Sequence, residues 1–228
     1  YVCAGEGQNA TTTLSCVPKT CDAIAYASGI ISGTSSDHCT QGTVLSTIGD
    51  TSCDVRCDEA LGYAPQNGTY VCPFPAGGPP TLSISCAPKY CDAIGTFGVG
   101  IVSSGDANEC LTTTVLNALN DTTCSIKCDT SAGHAAASGV YTCGVGSDVA
   151  VPSISCVAGT CNPISALGIG IVGNGSDACS VGTVLNALDD TTCSIKCDES
   201  AGYDGSQSGT YVCAGEGQNA TTTLSCVP

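Results

Sequence analysis

Apolar and polar residues alternate with a period of two in short stretches divided by glycine, the pattern of half-buried strands rather than helices. Cys53-Asp54-Val55-Arg56-Cys57 sets the cysteines and valine on one face and the arginine on the other; Cys124–Cys128 and Cys193–Cys197 repeat this with isoleucine and lysine. A second stretch, Gly68–Cys72, follows a glycine-containing turn and recurs at Gly139–Cys143 and Gly209–Cys213. A third, Thr81–Cys86, puts Leu82, Ile84 and Cys86 on one side, matched by Ile154 with Cys156 and by Leu224 with Cys226. The run Gly98-Val99-Gly100-Ile101-Val102 supplies another short strand, while Thr43–Ile48 reads as a strand or a single helical turn. Short strands at regular spacing with turn residues between them predict an all-β fold, a tandem array of small disulfide-stapled, β-sandwich-like units.

The cysteines fall into columns. Cys16, Cys86, Cys156 and Cys226 are 70 residues apart, and Cys21, Cys91 and Cys161 keep the same interval. The columns Cys39, Cys110, Cys179; Cys53, Cys124, Cys193; Cys57, Cys128, Cys197; and Cys3, Cys72, Cys143, Cys213 slip by one residue at most. Residues Tyr1–Pro18 and Tyr211–Pro228 are the same eighteen letters. The expected organisation is a 210-residue period of three 70-residue units, with an overlap. Residues 1–18 are then the C-terminal part of a preceding unit, and 19–88, 89–158 and 159–228 are the three units.

Composition explains why so many cysteines are present. The 228 residues include 20 cysteines but only 2 Phe, no Trp and no Met, so a 70-residue unit has little bulk with which to build a core. Each disulfide contributes about 2–4 kcal/mol, and three per unit would hold it. Such bonds persist in oxidising surroundings, which predicts an extracellular or cell-surface location. Zinc is disfavoured, because the close pairs are C-x3-C and C-x4-C and only His38 and His134 could add nitrogen ligands.

A net charge of -15 argues against nucleic acid and anionic membrane surfaces as partners, and no apolar run approaches the 18 residues of a membrane span. Carboxylates cluster at Asp50, Asp54, Asp58 and Glu59, at Asp121 and Asp129, and at Asp189, Asp190, Asp198 and Glu199. None of these runs spells a calcium loop, so they read as a solvated acidic surface; calcium is not favoured and no cofactor is expected. No nucleophile elbow, phosphate loop or dinucleotide fingerprint occurs, and the two histidines occupy unmatched positions, so no enzymatic activity is expected.

Five N-glycosylation sequons occur, at Asn9, Asn67, Asn120, Asn174 and Asn219. In a secreted chain they mark exposed positions that take covalent glycans. Thr11–Thr13, Thr112–Thr114 and Thr221–Thr223 add candidate O-linked sites.

The text CDEALGY…GTYVC…ISC…C between Cys57 and Cys91 resembles the sushi, or complement-control, module of beaded extracellular proteins. Gly62-Tyr63 and Gly202-Tyr203 match its GY element, and Gly133-His134 departs from it. The family's Trp is missing from every copy and an extra cysteine pair is present, so the likeness covers the later half of each unit. The resemblance implies the pairs Cys21–Cys72, Cys39–Cys53 and Cys57–Cys86, then Cys91–Cys143, Cys110–Cys124 and Cys128–Cys156, then Cys161–Cys213, Cys179–Cys193 and Cys197–Cys226. Under it, the mates of Cys3 and Cys16 lie in the preceding unit. A rival scheme pairs the last two cysteines of each unit locally, Cys3 with Cys16 and Cys72 with Cys86. Six cysteines allow 15 connectivities, and both schemes stay open at this point.

Two functions follow as expectations. The chain resembles, by type, the glycosylated extracellular filaments and surface coats of aquatic microbes, in which a tandem array has itself and its glycans as partners. The alternative is an adhesin or receptor stalk of sushi-like recognition modules. Arg56 is the only Arg and Trp is absent, which leaves few of the side chains that anchor binding hot spots.

Overall fold

The computed structural model describes residues 17–74 and 78–228. Cys3, Asn9, Thr11–Thr13 and Cys16, and with them nearly all of the 1–18 segment, lie outside the described residues. The chain divides into two compact units, one holding Tyr1–Tyr90 with Asn117–Asn120, the other Cys91–Leu116 with Asp121–Pro228.

In the first unit a four-stranded antiparallel sheet runs in the order β1 (Ile30–Ser32), β2 (Ser52–Cys57), β3 (Asn67–Val71), β4 (Thr81–Leu82). The second unit holds an equivalent four-stranded sheet of β5 (Ile101–Ser103), β6 (Thr123–Cys128), β7 (Ser138–Thr142) and β8 (Val151–Pro152). It also holds a three-stranded sheet of β9 (Ile171–Gly173), β10 (Thr192–Cys197) and β11 (Ser208–Val212). The succession of a short strand, a central strand and its hairpin partner thus occurs three times, the last time without a fourth strand among the described residues.

The alternation of the central strand sets the register. Cys53, Val55 and Cys57 are buried on one face of β2, and Ile126 and Ile195 occupy the place of Val55 in β6 and β10. Opposite Val55 stands Gly68, and a Cβ there would lie only 2.4 Å from Cγ2 of Ile84; at Gly139 the same atom of Ile154 would be 2.5 Å away. Glycine at this position opens the face on which the isoleucine sits.

A second layer closes over the sheet, built not from strands but from irregular backbone. The Cys21 N–H donates to the Leu45 carbonyl (2.8 Å) and the Ile24 N–H to that of Thr43 (2.9 Å), which holds two extended segments against each other. Ile24 and Leu45 from these segments join Cys21, Ile30, Cys39, Cys53, Val55, Tyr70 and Cys72 in one buried cluster. Ile164, Leu185 and Tyr211 recur in the equivalent cluster of the third copy. Thr43–Ile48 is therefore neither strand nor helical turn; its pairing is limited to single bridges such as Thr20 with Ser46.

Only Thr81 and Leu82 of the Thr81–Cys86 stretch form regular strand. The reason is chemical: the Thr69 N–H donates to the Ser83 hydroxyl (2.8 Å) instead of to a ladder carbonyl, and the Val140 N–H donates to that of Ser153 (2.9 Å). The Ser83 and Ser153 N–H groups still donate to the Thr69 and Val140 carbonyls (3.0 and 2.8 Å), so the side-chain oxygen replaces one of the two bonds of the pair and the regular ladder stops there. Leu82, Ile84 and Cys86 nevertheless pack against the core as the alternation implies.

Among the described residues nine disulfides staple these layers. Cys21–Cys72, Cys91–Cys143 and Cys161–Cys213 tie the start of each copy to the end of its long hairpin. Cys39–Cys53, Cys110–Cys124 and Cys179–Cys193 fix the irregular layer to the central strand. Cys57–Cys86, Cys128–Cys156 and Cys197–Cys226 anchor the segment after the hairpin. Local pairing of Cys72 with Cys86 is not formed; Cys3 and Cys16 lie outside the described residues.

Candidate functional site

Outside the core, a short turn that ends on a left-handed glycine recurs three times, and at two of these glycines it forms a joint. Each central strand ends on an aspartate that caps a one-turn 3-10 helix: Asp58 before Glu59–Leu61, Asp129 before Thr130–Ala132 and Asp198 before Glu199–Ala201. Each helix ends on a glycine in the left-handed region, Gly62 (φ 91°), Gly133 (φ 87°) and Gly202 (φ 88°). An aspartate at the start and a glycine just past the end are the residue types these positions favour. The Asp129 carboxyl is held below its usual range, chiefly by the hydrogen bond from the Ser131 hydroxyl, with the Ala132 and Ser131 amides and His134 adding to the shift against a desolvation that raises it. Ser200 does the same for Asp198.

The glycine then meets the turn that precedes the following central strand. In the second unit the Gly159 N–H donates to the Gly133 carbonyl and the Ala187 N–H donates to the Gly159 carbonyl, both at 2.9 Å. In the first unit Lys89 takes the place of Gly159: its N–H donates to the Gly62 carbonyl (2.9 Å) and its carbonyl accepts from the Ala118 N–H (2.8 Å). The contact is close. A Cβ on Gly62 would lie 2.5 Å from the Ala118 carbonyl oxygen, and one on Gly133 would lie 2.7 Å from that of Ala187 and 3.1 Å from Cδ2 of Leu188.

The turn itself is shaped by one side chain. Asn186 Oδ1 accepts from the N–H groups of Leu188, Asp189 and Asp190, and Asn117 Oδ1 accepts from those of Leu119 and Asn120. A further clamp closes the joint in the second unit, where the Ala136 N–H donates to Glu216 Oε2 at 2.6 Å.

Beside the joint, an aromatic ring lies flat on a turn glycine. A Cβ on Gly29 would lie 2.6 Å from the Tyr63 ring, one on Gly100 would lie 2.4 Å from the His134 ring, and one on Gly170 would lie 2.5 Å from that of Tyr203. His134 is buried, and its Nδ1 has no hydrogen-bond partner.

Four of the sequon asparagines lie among the described residues. Asn67, Asn120 and Asn219 are exposed and Asn174 is half-buried. Asn67 lines an open polar cleft of about 350 Å³ with Ser35, Asp54 and Thr69, where the Ser35 hydroxyl donates to Asp54 (2.5 Å). Asn219 Oδ1 accepts from Asn162 Nδ2 (3.0 Å), a bond that leaves the Asn219 nitrogen available for a glycan. Thr112 and Thr113 are exposed, as are Thr221 and Thr223.

The remaining predicted groups do not come together. The structure uses Asp58, Asp129 and Asp198 as helix caps. His38 bonds through Nδ1 to the Ser35 carbonyl (2.8 Å). Among the described residues no three His, Cys, Asp or Glu side chains are placed to hold a metal ion, and no helix is long and apolar enough to cross a membrane.

The glycines of the joint were visible in the sequence only as part of the GY element. The signal in the sequence that marks them is the aspartate four positions earlier, which an acidic-surface reading does not distinguish from its neighbours. Compared with known protein families and with curated proteins, the chain matches none.

Proposed function

We propose that this chain is a structural subunit of a glycosylated extracellular filament or cell-surface coat, without enzymatic activity. The observation that carries this reading is the recurrence of one joint, made of the same backbone hydrogen bonds at Gly62 and at Gly133, between copies that are each closed by three disulfides. A backbone joint tolerates changes of side chain, as Lys89 and Gly159 in equivalent places illustrate, and so suits an object built by repetition. Disulfides of this density fit an oxidising, extracellular setting. Exposed sequon asparagines in every copy support a glycan sheath, with the chain itself and its glycans as the partners.

The second reading is a receptor or adhesin stalk of sushi-like modules. The pairs Cys91–Cys143 and Cys128–Cys156, which that resemblance implies, favour it. Negative-stain imaging of the purified native material decides between them. Long fibres whose mass falls on enzymatic deglycosylation are expected; short, monodisperse particles would remove the filament reading.

A further inference from the structure

The outer face of the first sheet holds a polar cleft beside a sequon. Cys53, Val55 and Cys57 take the buried face of β2 and Tyr70 that of β3, so Asp54, Asn67 and Thr69 lie on the opposite face. Thr69 stands directly across from Asp54, and Asn67 is its neighbour two residues back on β3. Such a diagonal is about 7–8 Å long, a span that one pyranose ring bridges. The far wall is the turn after β1. There the Gly33 N–H donates to the Asp54 carbonyl (3.1 Å), and a Cβ on Gly33 would lie 2.8 Å from that of Asp54, so glycine is what lets the turn come this close. Thr34 and Ser35 complete a space of about 350 Å³. The Ser35 hydroxyl donates to Asp54 Oδ2 (2.5 Å), and Oδ1 is an acceptor on the same carboxylate.

The glycan acceptor and the carboxylate occur together. The place of Asn67 is taken by Ser138 in β7 and Ser208 in β11, and that of Asp54 by Ser125 in β6 and Ser194 in β10. The turn changes with them: Asn174, whose N–H donates to the Ser194 carbonyl (3.0 Å), stands where Gly33 does. The copy with a sequon at the head of this strand is thus the copy with a charged acceptor and a glycine-walled recess next to it.

We propose that this cleft is a carbohydrate subsite that the chain fills from its own surface: the first N-acetylhexosamine of a glycan on Asn67 lies in it. Asp54 accepts from the hydroxyl or acetamide N–H groups of the sugar, and the Thr34 hydroxyl donates to its oxygens. The Thr69 hydroxyl, which donates to Ser83 (3.4 Å), accepts through its lone pairs. This rests on the reading of the chain as a glycoprotein and gives one glycan a fixed place on the sheet.

The test uses the oxidised chain secreted from a eukaryotic host, with the occupancy of each sequon read by peptide mapping. Native protein is then treated with a peptide-N-glycosidase, which must reach the bond between asparagine and the first sugar. A sugar docked about nine-tenths of the time leaves about one-tenth open to the enzyme, so release at Asn67 should be roughly tenfold slower than at the exposed Asn219 of the same molecules. Asp54→Ser, the residue in that place in the other two copies, should remove most of the difference, whereas shielding by the strand alone would persist in it. In the parent chain, NOEs are expected from the acetamide methyl of the Asn67 sugar to the Thr34 and Thr69 methyls.

Equal release at Asn67 and Asn219, slow release that persists in Asp54→Ser, or an Asn67 sugar without those NOEs would overturn the proposal. A chain glycosylated at other sequons but not at Asn67 would reject this subsite alone. A chain with no sequon occupied would reject the glycan reading on which it rests.

Discussion

Replacing Gly133 by alanine separates the contribution of the joint from the cost of its backbone conformation. Gly133 and Gly202 have φ of 87° and 88°, so an alanine at either suffers the same left-handed strain, about 1–2 kcal/mol. Only at Gly133 does the new Cβ meet a neighbour, the Ala187 carbonyl oxygen at 2.7 Å. Ordinary contact would require the turn to retreat by roughly half an ångström or more. That retreat pulls on the two 2.9 Å bonds, Gly159 N–H to Gly133 and Ala187 N–H to Gly159. A typical intramolecular hydrogen bond contributes about 1 kcal/mol net, so Gly133→Ala should cost about 1–2 kcal/mol beyond Gly202→Ala. Amide hydrogen exchange in dilute monomeric protein reads this locally. The Gly159 and Ala187 amides should exchange roughly 5 to 30 times faster in Gly133→Ala and unchanged in Gly202→Ala. Equal rates for those two amides in both variants would show that the joint bonds contribute nothing, and the argument from them would fail.

Three further outcomes follow from the same structure. Replacing Cys91 and Cys143 by alanine opens a loop of 52 residues, and replacing Cys110 and Cys124 opens one of 14, so on chain entropy alone the first pair should cost about 1 kcal/mol more in urea unfolding. His134→Tyr removes a buried unpartnered Nδ1 and installs the residue that lies on the turn glycine in the other two copies; a gain of about 1 kcal/mol in urea stability is expected. Asp129 should titrate below an ordinary aspartate by carbon-detected NMR, and Ser131→Ala should move its midpoint upward by removing the largest cause of the shift. Because the folded pKa is depressed, the stability this cap adds is present above the unfolded aspartate pKa and is lost as pH falls through the folded value.

The alternation of Cys53, Val55 and Cys57 was enough to find the central strand and its buried face, since the period of two leaves no other way to bury all three. The cysteine columns likewise coincide with a disulfide pattern that recurs three times among the described residues. What the pattern did not reveal was the second layer. Ile24 and Leu45 sit in segments without periodicity, and their burial comes from disulfides and isolated backbone bonds rather than from a regular ladder. The third stretch reads as a strand because Leu82, Ile84 and Cys86 alternate, yet the Ser83 hydroxyl takes one of the two ladder bonds at Thr69, a competition that hydrophobic pattern does not register. The joint was hidden for a related reason. Its specificity lies in backbone carbonyls and N–H groups, together with a glycine, the aspartate that starts the turn before it and the asparagine that shapes the facing turn.

The central claim is that this chain is a repeating component of an extracellular filament. Immunogold labelling of the native material with an antibody raised against the exposed 145–149 loop tests it most directly, because that loop occurs once per 210-residue period. The account predicts gold particles along extracellular fibres at a constant spacing. Gold confined to one end of a fibre, or found on particles with no fibres present, would contradict it.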